Sequence, residues 1–144
     1  EIYGCIEDKS SLAVLDIGGD DRGAYALGRY APQILEENDY ENIFVVNFYR
    51  PLTKTAQEAF DVMREIEYVC GIPFTGIINN SNIGWDTSPE DVLETEDRTN
   101  NLCSISKLPL LAVAAEKNVA ERLNIKNVFP ITLQRKYFDI KEFK

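Results

Sequence analysis

Four short, nearly continuous apolar runs alternate with longer amphipathic stretches in this chain, and that alternation limits its fold more than any other feature. The runs cover residues 12–17 (Leu-Ala-Val-Leu-Asp-Ile), 43–48 (Ile-Phe-Val-Val-Asn-Phe), 74–79 (Phe-Thr-Gly-Ile-Ile-Asn) and 108–113 (Leu-Pro-Leu-Leu-Ala-Val). A weaker fifth, 127–132, contains Pro130 and so belongs at a sheet edge or ends there. The runs do not alternate apolar with polar residues, and strands buried on both faces of a parallel sheet read this way.

The intervening stretches read as helices. Ala24, Leu27, Gly28, Ala31, Ile34 and Leu35 fall at helical spacing, with Pro32 placed to kink that helix or break it in two. Ala56, Ala59, Phe60, Met63, Glu67 and Cys70 mark a second helical face, polar only at Glu67, which begins with the capping box Thr55 and Glu58 and stops at Gly71. A third helix starts at Ser88-Pro89-Glu90-Asp91, with a cap residue, proline at the first helical position and acids in the first turn. A short fourth spans about 117–123. Strand and helix in repeated alternation predict right-handed βαβ units. The expected fold class is therefore α/β, a mainly parallel sheet with helices on both faces, in a single domain over residues 1–144.

A length of 144 residues suits one domain with a sizeable core. The chain contains no histidine, which excludes a histidine base, a Ser-His-Asp triad and histidine metal ligands from this sequence. Its net charge of −9 argues against nucleic-acid and anionic-membrane partners. That charge is uneven: residues 1–100 hold twenty acidic and seven basic side chains, and residues 101–144 hold four and eight. Between Asp86 and Asp97 stand six carboxylates without a base, a solvated face or, in a sharper reading that lacks calcium-loop spacing, a divalent-ion site. No apolar run approaches the roughly 20 residues of a membrane span. Three widely separated cysteines form neither a zinc pattern nor a disulfide framework, so a cytoplasmic location is expected. Cys70 and Cys103 read as small core residues on helix faces.

In open α/β sheets, ligands bind beyond the carboxyl ends of the strands. The first run ends Asp16-Ile-Gly-Gly-Asp-Asp21. Asp16 is suited to orienting a magnesium ion, and Gly18 and Gly19 allow close backbone approach to a phosphate; a tight turn with a helix cap is the plainer alternative. The third run ends Asn79-Asn-Ser-Asn82. A side-chain amide there both donates and accepts, as reading a purine edge requires, while turn chemistry is the competing explanation. The fourth run leads into Ala114, Ala115 and Glu116, a small-residue loop able to flank a flat ligand.

In order and spacing these strand ends resemble the deviant-Walker P-loop ATPases, the CobQ/CobB/MinD/ParA family that also includes the nitrogenase iron protein and dethiobiotin synthetase. Asp16-Ile-Gly-Gly-Asp20 looks like its Walker B and switch II segment, and Gly76-Ile-Ile-Asn-Asn80 like its strand ending in a base-reading asparagine. The resemblance spans roughly residues 10–132 and is greatest to an uncharacterised ATP-binding branch. It implies ATP and Mg²⁺ as cofactors, with Asp16 as the metal-associated carboxylate, the Gly19 N–H facing the γ-phosphate, Asp20 near the attacking water and Asn80 on the base. Residues 114–116 would flank the adenine, and a homodimer or protein partner would close over nucleotide.

The family's Gly-x-x-x-x-Gly-Lys-[Ser/Thr] loop does not occur in this sequence. The expectation is thus the carboxy-terminal portion of a P-loop NTPase-like domain, competent for ATP hydrolysis only with an upstream loop and inactive by itself. The alternative is a non-catalytic α/β module that binds a small ligand or a protein at the same strand ends.

Overall fold

The computed structural model describes Gly4, Asp8 and residues 10–19 and 21–133. Four parallel strands form one sheet in the order β1 (Ile43–Val46), β2 (Gly76–Asn79), β3 (Leu110–Glu116), β4 (Val128–Ile131). Four of the five apolar runs thus supply the strands, and β4, which carries Pro130, is an edge strand as its proline requires. Helices α1 (Asp21–Gly28) and α2 (Ala31–Glu37) precede the sheet, with Pro32 in the first turn of α2, so the stretch is broken in two. Helix α3 (Ala56–Cys70) joins β1 to β2. Helices α4 (Pro89–Glu94) and α5 (Glu96–Ser106) join β2 to β3, and α6 (Lys117–Ala120) joins β3 to β4.

The helix ends follow the local chemistry. Thr55 and Glu58 exchange both capping-box bonds at the start of α3. Gly71 closes that helix at φ 73°, a left-handed conformation that a Cβ disfavours. Ser88 and Asp91 form a second capping box at α4. The hydrogen bonds from Ser88, its backbone N–H first, hold the Asp91 carboxyl below the usual aspartate range. The stretch read as one third helix divides at Thr95, whose hydroxyl donates to the Val92 carbonyl at 2.7 Å and which is fully buried.

The main core lies on one face of the sheet. Phe44, Val46 and Ile77 point towards Ala59 and Met63 of α3 and Leu102 of α5, with Phe48 and Phe74 closing the ends. Val113 and Ala115 continue this face against Val119 and Ala120. Helices α1 and α2 pack through Ala24 and Ala31 onto Cys70 and Ile72, on the flank of α3. Cys70 is buried and Cys103 packs beside the core, where burial raises its thiol pKa. Among the described residues, no helix is long and apolar enough to cross a membrane.

Two expectations are corrected. First, among the described residues the helices do not cover both faces. Val45, Leu111 and Phe129 on the second face are 57, 40 and 60% exposed. Topology explains this: every crossover steps the same way along the sheet, and right-handed crossovers stepping one way place all their helices on one side. Second, residues 12–17 form no strand. Leu12 and Val14 are 92 and 84% exposed, and the run pairs with no edge of the sheet. An apolar run states a preference for burial; a strand also needs a neighbour to take up its N–H and C=O groups.

Candidate functional site

The parallel strands all deliver their carboxyl ends to one edge, where the loops after β1 and β2 meet. Asn79 and Asn80 stand side by side there, and the two-residue period of a strand sends them to opposite faces. Asn79 enters the covered face. It is 2% exposed, donates through Nδ2 to the hydroxyls of Thr95 and Thr99 at 2.8 Å each, and accepts the Ser81 N–H through Oδ1 at 2.9 Å. That side chain is fully engaged in structure.

Asn80 takes the other side. Its backbone N–H extends the β1–β2 ladder to the Val46 carbonyl at 2.8 Å, and its carbonyl accepts from Asn82 Nδ2 at 2.8 Å. Its side chain lines a groove of about 290 Å³ on the open face with Val45, Ile78, Ala112, Ala114, Phe129 and Ile131. Asn80 Oδ1 is buried there without a hydrogen-bond partner. A buried amide oxygen left unpaired costs about 1–3 kcal/mol, so it calls for a donor from water or a ligand. The groove offers apolar walls for a flat ring and one amide able to donate and accept along an edge.

Of the residues expected at this site, Ala114 joins Asn80 in the groove. Ala115 does not: it is buried on the opposite face beside Val113 and Val119. Glu116 is occupied as the cap of α6, its carboxylate accepting from the Asn118 N–H at 2.9 Å and from Asn118 Nδ2 at 3.1 Å. Asp16, Gly18 and Gly19 are exposed on the irregular segment before α1, not at a strand end. The backbone of Gly18 lies so close to Gly23 that a side chain on Gly23 has no room. Asp20 lies outside the described residues. No group of three or more carboxylate or cysteine ligands gathers among the described residues, within the acidic stretch 86–97 or elsewhere. In that stretch Asp91 caps α4 and Glu94 pairs with Arg98 at 3.7 Å.

Sequence reasoning missed the lock between the two loops. Asn47 Nδ2 donates to the Asn82 carbonyl at 3.0 Å, and Asn47 Oδ1 accepts the N–H groups of Tyr49 at 2.9 Å and Asn82 at 3.3 Å. Phe48 N–H donates to Ser81 Oγ at 3.0 Å. The Tyr49 hydroxyl donates to the Asp91 carbonyl at 2.8 Å, and burial, aided by the Glu94 and Asp91 charges, raises its pKa and keeps it a donor. Asparagine after both strands, with serine after β2, is the available signal, but turn propensity explains these residues equally well in a sequence. No protein-family model, curated protein or solved structure matches this chain.

Proposed function

We propose that this chain carries the base-binding side of an adenine-nucleotide site in an α/β domain of the MinD/ParA/CobQ kind. The observation that carries the reading is the unpartnered, buried Oδ1 of Asn80 at the carboxyl end of β2, on the wall of an apolar groove. An asparagine amide pairs in two places with adenine, accepting from the exocyclic amine and donating to a ring nitrogen. Ala112 and Ala114 leave space for the ring, with Phe129 and Ile131 beside it.

The open face supports the further proposal that these residues are the carboxy-terminal portion of a larger domain. A parallel sheet is stable when both faces are covered, and here Val45, Leu111 and Phe129 remain exposed. Phosphate contacts and Mg²⁺ then fall to residues outside this arrangement. Asp16, exposed and away from the strand ends, does not by itself fit a metal site, and no step through a metal is derived. The same exposed face favours the second reading, a non-catalytic module that docks a protein partner.

On these 144 residues ATP is expected to bind only weakly, with a dissociation constant on the order of millimolar, because the groove contacts the base alone. Titration calorimetry measures this directly. Micromolar affinity would show that the chain grips the phosphates itself and would overturn the proposed division of the site.

A further inference from the structure

The loops after β1 and β2 line a second, open cavity of about 360 Å³, with Asn47, Tyr49, Arg50, Asn82, Ile83 and Gly84 in its wall. It sits at the carboxyl ends of two adjacent parallel strands, where α/β sheets place ligands. Most polar groups in its wall are already used. Both ends of the Asn47 amide hold the two loops together. Asn82 Oδ1 accepts the Gly84 N–H at 3.1 Å, and the Ile83 N–H donates to Thr87 Oγ1 at 3.0 Å. The Tyr49 hydroxyl is committed to the Asp91 carbonyl.

Arg50 is the exception. Its backbone N–H closes a turn to the Asn47 carbonyl at 3.1 Å, yet among the described residues its guanidinium pairs with no carboxylate. Of the acids in the adjoining segments, Glu58 and Asp91 serve at helix caps and Glu94 pairs with Arg98, while Asp86 is exposed. Arg98 packs on the rings of Phe48 and Tyr49 at 5.6 and 5.7 Å, donates to the Lys54 carbonyl at 3.2 Å and pairs with Glu94 at 3.7 Å, which leaves Arg50 as the basic side chain of the cavity wall.

We propose that this cavity is an anion site in which Arg50 takes a phosphate or carboxylate group of a small ligand. A guanidinium presents parallel N–H donors that fit either group in two-point fashion, and the locked loops fix the backbone from which the exposed Arg50 side chain reaches. The site stands apart from the base groove, since the two linings share no residue.

Inorganic phosphate and acetate, titrated separately into the full 144-residue chain and followed by amide NMR, distinguish the two chemistries. At least one is expected to give saturable shifts at Asn47, Arg50, Asn82 and Gly84. Arg50→Gln should weaken that binding about tenfold or more, while Arg64→Gln, at a pair with Glu67 remote in the sequence, leaves it unchanged. Failure of both anions to shift these amides, or equal affinity in R50Q, would overturn the site. Asn80→Ala separates this site from the base groove: phosphate or acetate binding that survives in N80A while adenosine binding is lost supports two sites, and loss of both contradicts them.

Discussion

Asn79→Ala is expected to destabilise the protein by about 3 kcal/mol, the sum of a lost buried network and the cavity left behind. The Asn79 side chain ties β2 to Thr95 and Thr99 and satisfies the Ser81 N–H. Truncation leaves that N–H without its acceptor in a residue only 1% exposed, which alone costs about 1–3 kcal/mol. The threonine hydroxyls still donate to the Val92 and Thr95 carbonyls, so their share of the loss is smaller. Urea denaturation should show a lower midpoint at unchanged slope, and thermal melting a drop of roughly 8–12 °C. A change below about 1 kcal/mol would mean that Asn79 does not anchor α4 and α5 to the sheet.

The second large effect is a contrast between the two faces of the sheet. Ile77→Ala removes a side chain that is 0% exposed at the centre of the main core, and should cost about 3 kcal/mol. Phe129→Ala deletes a much larger side chain that is 60% exposed on the open face, and should cost less than about 1 kcal/mol. In a sheet covered on both faces the order would reverse, because burying a phenylalanine contributes more than burying an isoleucine. Equilibrium unfolding of the two variants decides the matter. A loss for F129A equal to or above that for I77A would contradict a one-sided core.

Much of this architecture is legible in the sequence. The strands, the capping boxes at Thr55 and Ser88 and the stop at Gly71 follow from local chemistry, and local chemistry is what a sequence displays. Both strand faces are apolar, as the unbroken runs imply: Val45, Ile78, Ala112 and Ala114 are as apolar as the residues opposite them. What the pattern did not reveal is that only one face finds its cover among the described residues, because cover depends on strand order. Residues 12–17 fail for the same reason, since pairing is a property of two segments and periodicity reports on one.

The site was legible in part. Asn80 was singled out, and the structure gives it a groove and an unpaired oxygen. Ala115 was grouped with Ala114, yet adjacent residues on a strand cannot share a face. A lone arginine in a turn carries no spacing signature, so Arg50 stands out only where Asn47 and Asn82 lock the loops beside it.

The proposed base site is tested most directly by titrating adenosine, which lacks phosphates, into the isotope-labelled chain and following the side-chain amide of Asn80. The expected result is saturable movement of that signal together with the Ala112 and Ala114 amides, weaker for cytidine and abolished in Asn80→Ala. Adenosine shifts that bypass Asn80 and Ala114, or that persist unchanged in N80A, would contradict the account.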